Sequence, residues 1–437
     1  MMPRSALSAT RPQYLQPRGK APCDRGEPNA ATHRIAGMMK TDRLPAAPGQ
    51  AYATVEIHRD LSEVAALWTA LMPEALATPY QNPAFLRAWV DHAAGPEGVE
   101  PLIVVARDAS GRPVALLPFG LKRRAGIRVA RFLGGSHVNY NLPVIRRDSL
   151  AAFAGGDAMR LLRDAAKIAR IDAFALSNQP HVWEGFDNPF AALPRQPSPD
   201  AGFSGPLAPS LEEHLKRFVS AKSRSNQRRK MRRFEELGHP LIYRAETAAQ
   251  RARLLDAYFD QKARQFEMRG VANVFERQGV HEFLADACGL SGAAPTVEIY
   301  GFELDGEIIS VTGGLADRGR YCGMFISITS GERAKYSPGE MLMNFVVEDS
   351  IRRGLSIFDL GVGAAAYKKM YCPDAVPLFD SIFGVTLRGR AAAAAVAGAA
   401  AAKARVKASP RAYALLDRAR KAMAGRRSAA SAEDHHS

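Results

Sequence analysis

Thr296-Val-Glu-Ile-Tyr-Gly-Phe-Glu-Leu-Asp305-Gly306-Glu-Ile-Ile-Ser-Val-Thr-Gly-Gly-Leu315 reads as two strands joined by a two-residue turn. Asp-Gly suits that turn because both central residues of a tight hairpin need positive φ, which Gly adopts freely and Asp tolerates. Gly319 turns the chain again into a third strand, Tyr321–Ile328. A helix follows from Ser337 to about Arg353, then the strand Ser356–Leu360 and a last strand, Leu378–Leu387. Three hairpin-linked strands, a helix and further strands make an α+β unit, its mixed, mostly antiparallel sheet flanked by helices.

The same order of elements occurs once before. Residues Tyr52–Ile57 alternate as a strand, and Asp60 caps a helix with Leu61, Val64, Leu67, Trp68 and Leu71 on one face. Asn82-Pro83 starts another helix with Pro at its first position, and Phe85 and Trp89 share a face. Strands Pro101–Ala106 and Val114–Phe119 join through Asp108, Ser110 and Gly111, and Ile127–Leu133 follows. Asp157 opens a helix to Arg170, and Ile171–Leu176 is a strand. One α+β unit therefore occurs twice. The Pro/Gly/Ser-rich stretch Pro194–Pro209 reads as the connection, and Ser210-Leu-Glu-Glu213 is a capping box that begins the next helix. Thr247 caps a further helix with Leu254, Leu255, Tyr258, Phe259 and Phe266 on its buried side. The expected organisation is a Pro-rich basic leader (1–50), a first unit (51–195), a linker (196–209), a second unit (210–390) and an Ala-rich basic tail (391–437). The leader has no apolar core of a signal peptide and reads as disordered, with Met38 or Met39 as an alternative start.

Across 437 residues, lysine and arginine exceed the acids by 59 − 44 = +15, which favours anionic partners such as nucleic acid, lipid head groups or phosphorylated small molecules. Cys23, Cys288, Cys322 and Cys372 lie far apart with no C-x-x-C pair, arguing against a disulfide framework and a zinc site. A reducing, cytoplasmic setting follows, with no metal expected. The longest apolar run, Ala391–Ala402, is too short to span a bilayer and runs into Lys403 and Arg405.

Four places carry chemistry. In Tyr336-Ser337-Pro338-Gly339-Glu340, Ser337 suits a helix N-cap, Pro338 the first helical position, and Gly339 bares the backbone. A helix start offers unpaired N–H groups and partial positive charge to a phosphate. Ser337 and Glu340 equally form a capping box, in which the carboxylate repels an anion. Both readings stand. The strand Ile357-Phe358-Asp359-Leu360-Gly361-Val362-Gly363 ends in an acid and two glycines, which lets a ligand approach the backbone at Gly361. After it, Tyr367 is placed to protonate a leaving thiolate, and Lys368 or Lys369 to bind phosphate or carboxylate; a capped strand end with a solvated lysine pair is the alternative. Lys222, Arg224, Arg228, Arg229, Lys230, Arg232 and Arg233 surround one helix, with only Phe218, Met231 and Phe234 as an apolar side. Nucleic acid, anionic lipid and a phosphorylated ligand all fit this run, with Arg228 the substrate-binding candidate; a merely solvated helix is the alternative. No module for specific DNA binding accompanies it. His137, beside Asn139, Tyr140 and Asn141 after Gly134-Gly135, is the histidine to place in a cleft, or else a structural one.

Asn82-Pro83-Ala-Phe85 with Trp89, Ser223-Arg224-Ser225-Asn226 with Arg228-Arg229-Lys230, Ser337-Pro338-Gly339, and Phe358-Asp359-Leu360-Gly361 with Tyr367-Lys368 occur in one order. Together, over about Tyr52–Leu387, they resemble the CelD/BcsL group of the GNAT superfamily, linked to cellulose or exopolysaccharide production. That group is similar to the Fem-type peptidoglycan aminoacyltransferases, which carry two GNAT-like units in tandem. The resemblance implies an acyltransferase using acetyl-CoA or another acyl-CoA, with a saccharide-related or small-metabolite amine or hydroxyl as acceptor. It puts pyrophosphate at the helix starting with Ser337 and Gly339, although the usual Q/R-x-x-G-x-G/A loop is absent. Asp359 becomes the candidate base or substrate orienter, Tyr367 the acid, Gly361 and Lys368 donor contacts, and His137, Asn139, Tyr140 and Arg228 acceptor contacts. Fem-type relatives use aminoacyl-tRNA, which residues 222–233 also suit. A non-catalytic partner of polysaccharide synthesis, held at the inner membrane surface by that helix and the tail, is the third expectation.

Overall fold

Where the sequence repeats its order of elements, the described residues build two large sheets, beside a small two-stranded ribbon of Val182–Trp183 and Phe186–Asp187. The computed structural model describes residues 50–408 except Val271 and Pro373; the leader, and the tail segment with Arg411, Leu415 and Lys421, lie outside the described residues. In the first half, β1 (Thr54–His58), β2 (Val99–Arg107), β3 (Pro113–Arg124) and β4 (Ile127–Phe132) form an antiparallel meander. Helix α1 (Ala158–Ala169) then leads to β5 (Ala173–Pro180), which joins β4 in parallel over Val129↔Ala173 and Ala130↔Phe174. The second half repeats this plan. After β6 (Gly202–Pro206) and helix α2 (Ala221–Leu237), the meander β7 (Pro240–Arg244), β8 (Glu298–Leu304), β9 (Glu307–Asp317) and β10 (Arg320–Ile328) is interrupted after β7 by helix α3 (Ala248–Arg269) and a short helix, Val280–Ala287. Helix α4 (Pro338–Arg352) leads to β11 (Ile357–Val362), parallel to β10, and the sheets end with β12 (Leu378–Gly384).

Local chemistry accounts for the ends of these elements. Asn82 accepts from the N–H groups of Ala84 and Phe85 at a helix start, and Thr247 with Gln250 closes a capping box on α3. Gly270, at φ +60°, ends α3 in the left-handed region. Asp305 (φ +50°) and Gly306 (φ +81°) make the expected turn between β8 and β9.

Two features depart from the sequence reading. The stretch taken as a linker supplies β6, which pairs with β11 in the second sheet. Its Gly202 serves a close approach: a Cβ there would lie 2.4 Å from the Tyr140 hydroxyl. The last strand, expected with the second unit, instead pairs antiparallel with β5 of the first sheet. The halves are thus joined through β6 in the linker and through β12 at the end of the second unit. Their cores also merge: Phe85 of the first half meets Phe283 of the second edge-on at 5.4 Å, within a cluster that includes Leu254, Leu255 and Tyr258 of α3. A second cluster, with Phe234, Phe302, Val346, Phe358 and Tyr371, fills the space beneath α4.

A buried polar network crosses the seam. Asp359 on β11 is fully buried; its Oδ1 accepts from the Tyr140 hydroxyl at 2.8 Å and its Oδ2 from Arg320 Nη1 at 3.0 Å. Arg320 also donates to Ser204 Oγ on β6 at 2.8 Å and lies 4.1 Å over the Trp183 ring. Removing one member of a buried ion pair leaves the other charge without compensation. Asp359→Ala is therefore expected to cost about 3 kcal/mol of unfolding free energy in urea melts, and Tyr140→Phe about 1 kcal/mol. A loss below 1 kcal/mol for Asp359→Ala would show that the network does not hold the halves together.

Candidate active site

The site begins where two parallel strands stop pairing. β10 and β11 are in register at Arg320↔Ile357, Tyr321↔Phe358 and Cys322↔Asp359, and then part. On its other side β10 carries a bulge: Gly314 pairs Gly323 while Gly313 pairs Phe325, leaving Met324 unmatched. At the vertex sits the Asn139 amide, reaching in from the first half. Its Nδ2 donates to the Gly323 carbonyl on β10 at 3.1 Å and to the Tyr80 hydroxyl at 2.6 Å, and its Oδ1 accepts from the Val362 N–H on β11 at 3.1 Å. One side-chain amide thus bridges the two strand edges just past their last ladder pair. Gly361 makes room for it: at φ +70°, a Cβ there would lie 2.4 Å from Asn139 Nδ2.

Two adjoining cavities fill the opening. The inner one, about 200 Å³, reaches from Asn139 and Gly323 to Leu360, Val362, Tyr367 and Lys368. The outer one, about 480 Å³, reaches from Ile326 and Ser327 to Ser337, Gly339 and Glu340 at the start of α4. Lys262 of α3, Ile326, Met343 and Tyr367 line both, so the cavities meet along these side chains.

The start of α4 departs from both simple readings of its sequence. Ser337 takes a left-handed conformation (φ +57°, ψ +58°) and makes no side-chain cap, so the capping box is not formed. Glu340 turns instead to α2, accepting from Gln227 Nε2 at 2.7 Å and Lys230 Nζ at 2.8 Å, and Lys230 also donates to Ser337 Oγ at 2.9 Å. The carboxylate that would repel an anion is thus paired. Gly339 lets α4 pack on the end of β10, since a Cβ would meet Ile328 Cδ1 at 2.8 Å.

Of the residues named from sequence, Ser337, Gly339, Tyr367, Lys368 and Asn139 line the opening. Tyr367 is half-buried, and desolvation, with Cys372 nearby, raises its phenol above the ordinary range. Lys368 is buried; its Nζ donates to the carbonyls of Gly361 (3.2 Å) and Val362 (2.9 Å), and burial lowers its pKa to about 8. It is no member of a solvated lysine pair. The remaining candidates sit elsewhere. Asp359 lines neither cavity, and its carboxylate is taken by Tyr140, Arg320 and the Gly361 N–H at 2.8 Å. Burial pushes its carboxyl up against the opposing pull of Arg320. This geometry supports a positioning role rather than general-base work. Tyr140 is likewise buried in that network. His137 is buried against the Phe283 and Phe275 rings, and desolvation, with Arg277 nearby, lowers its pKa to about 4, so it is a neutral packed side chain. Arg228 is exposed on the wall of a separate groove of about 570 Å³, lined by Leu211, Met231 and Phe345, against another face of α4. Lys222, Arg229, Arg232 and Arg233 are exposed too.

Lys262 went unnamed in the sequence. Its signal was there: it follows Tyr258 by four residues, on the apolar face of α3, where a lysine needs a reason. Its Nζ donates to Gln265 Oε1 at 3.1 Å and lies 6.0 Å from the Tyr258 ring centre and 5.9 Å from that of Phe275. Burial, with Arg269 nearby, lowers its pKa to about 8. Among the described residues, no group of His, Cys, Asp and Glu is placed to hold a metal, and no helix is long and apolar enough to cross a membrane.

Residues 221–369 match the family model described as an acetyltransferase (GNAT) domain. The matched span runs from the first residue of α2 through the parted strands to the Tyr367–Lys368 turn, so the match to the GNAT model falls within the second half. A comparison with curated proteins finds no match. Among solved structures, the chain is similar to FemX (TM-score 0.51, 12% identity, 75% of this chain and 95% of that one). It is also similar to a conserved protein of unknown function from Bacteroides thetaiotaomicron (TM-score 0.49, 11% identity, 75% and 99%) and to a tandem GNAT protein from the clavulanic acid biosynthesis pathway (TM-score 0.43, 14% identity, 76% and 99%). The chain has the expected α+β fold, shared with FemX, and residues 221–369 within it match an acetyltransferase (GNAT) domain.

The buried ammonium of Lys368 has a measurable consequence. Its folded pKa of about 8 lies below the ordinary lysine value of 10.5, so between these values the unfolded chain binds more protons and stability rises with pH. Comparing wild type with Lys368→Met cancels the other titrations. The difference in unfolding free energy should move in favour of wild type by about 1 kcal/mol per pH unit from pH 8 to 10. A difference that stays flat in urea melts across that range would mean that the amine is not held in a low-dielectric site.

Proposed function

We propose that the opening between β10 and β11 binds acyl-CoA and transfers its acyl group to an amine or hydroxyl of a small acceptor. The observation that carries this reading is the continuous opening from the α4 start to Tyr367 and Lys368, with Lys262 between. The residues suit such a donor. Gly339 in the first turn of α4 and Arg269 border the outer cavity, where an anionic pyrophosphate would lie, and Glu340 is already neutralised by Lys230. The inner cavity is lined by Met324, Phe325, Ile326 and Leu360, which suit an acyl chain.

When bound, acyl-CoA supplies a thioester open to attack by a neutral amine. The β10 edge beyond Cys322, released from β11, offers backbone donors to the carbonyl oxygen as it gains charge. Tyr367 keeps its proton because burial holds it on Oη, ready for a departing thiolate. Asp359 and Tyr140 fix β11, and with it the Gly361 turn. Acetyl-CoA is the simplest donor, and a saccharide-related acceptor in exopolysaccharide or cellulose synthesis follows the CelD/BcsL resemblance.

A second reading takes aminoacyl-tRNA as the donor. Its support is the row of exposed cations on α2, Lys222, Arg228, Arg229, Arg232 and Arg233, and a fold shared with FemX. Calorimetric titration separates the two. CoA should bind the full chain saturably, and Arg269→Ala should weaken it about tenfold, as loss of a charged hydrogen bond does. Tyr367→Phe should lower kcat about a hundredfold with KM and folding unchanged. Binding of charged tRNA without binding of CoA would replace the first reading by the second; full turnover in Tyr367→Phe would remove the acid.

A further inference from the structure

The inner cavity has an unusual balance of hydrogen-bonding groups. Its lining contains no aspartate or glutamate. Its polar side chains are Asn139, Tyr258, Lys262, Thr312, Tyr367 and Lys368. Two are already used: the Asn139 amide bridges the strands, and the Thr312 hydroxyl donates to the Phe325 carbonyl at 2.8 Å. The others are donors in want of acceptors. Lys262 has one partner, Gln265, for three N–H groups, and Lys368 has two carbonyls for three. The Tyr258 hydroxyl is fully buried and has no partner at all. Among the described residues, no carboxylate comes within salt-bridge distance of either ammonium.

A buried donor without an acceptor is costly, and a buried charge without a counter-charge more so. Two ammonium groups and an orphan phenol around one small cavity are favourable only if something bound there supplies negative charge and lone pairs. The thioester and the pantetheine arm of the proposed donor carry no charge, and its phosphates belong at the outer cavity beside the α4 start. The acceptor is left to supply it. We infer that the acceptor is itself an anion, an amine or alcohol bearing a carboxylate or phosphate that is bound by Lys262, with Lys368 and the Tyr258 hydroxyl completing the pocket. This rests on the acyl-transfer reading of the opening and names the acceptor class for it. Lys262 acts here as a binding group; at neutral pH its amine is mostly protonated, and a bound anion would hold it so. The groups facing it are Gln265 and Arg269 on its own helix, the Tyr258 and Phe275 rings, and Tyr367 and Lys368 across the opening.

Matched pairs differing only in the anionic group test this by calorimetry on the full chain, with and without saturating CoA: tyrosine against tyramine, and glucosamine 6-phosphate against glucosamine. The anionic member of at least one pair should bind at least tenfold more tightly, and which pair discriminates tells carboxylate from phosphate. Lys262→Met should abolish the preference while Lys262→Arg keeps most of it, with CoA affinity unchanged in both. In turnover with acetyl-CoA, Lys262→Met should raise KM for the anionic member and leave kcat within about twofold. Equal binding within both pairs, or no binding of any of the four, overturns the inference. Weakened CoA binding in Lys262→Met would assign the ammonium to the donor, and a fall in kcat at constant KM would assign it to proton transfer; either overturns it as well. Failure of CoA to bind wild type is a separate outcome, which sinks the donor reading whatever the matched pairs show.

Discussion

The Asn139 side chain holds apart the two strands that the rest of the site depends on. A parallel pair such as β10 and β11 gains from each further ladder bond, so strands that part midway need their freed backbone groups satisfied in some other way. The Asn139 amide does this at the vertex, giving Nδ2 to the Gly323 carbonyl and taking the Val362 N–H on Oδ1. A side-chain amide has the same donor and acceptor as a peptide group but cannot propagate a strand. It therefore ends the ladder and satisfies its last exposed groups at once. The cleft is open because a residue from the other half of the chain stands in it.

This dependence explains why the two units are not separable at the linker. The segment after β4 carries Asn139 to the vertex and Tyr140 to Asp359, one residue apart, so the first half controls both the opening and the strand on its far side. β6 and β12 then lock the arrangement from the edges, each pairing away from where chain order alone would put it. The duplicated plan survives, but one copy has given up its loop to shape the other copy's cleft.

Local grammar was legible in the sequence, and long-range pairing was not. Asn82, Thr247 and Asp305-Gly306 behave as their types dictate because caps and turns are decided by a few neighbouring dihedrals. The α4 start was found for the same reason. Its Ser337–Glu340 box failed because Lys230 and Gln227, over a hundred residues away, compete for the same carboxylate and win with a charge. Asp359 looked catalytic because an acid before glycines at a strand end is a good ligand position; Arg320 and Tyr140 make it a strut, and neither is near it in sequence. Of His137, Asn139 and Tyr140, which stand together in the sequence, only Asn139 lines the opening, because a turn after Gly134-Gly135 points successive side chains in different directions.

The electrostatics of the two cavities follow from the same packing. At the outer cavity, the one acid at the helix start is turned toward α2 and paired, which leaves the helix end positive. At the inner cavity, Lys262 and Lys368 approach from α3 and from the turn after β11, and the acid of β11, Asp359, is held on Arg320. An enzyme that needed a carboxylate base would gain by freeing Asp359 into the opening, yet the fold spends that charge on joining its halves. The amines that remain face a space where only a ligand can answer them, so the burial that costs the empty protein stability is what gives the site its preference for an anion.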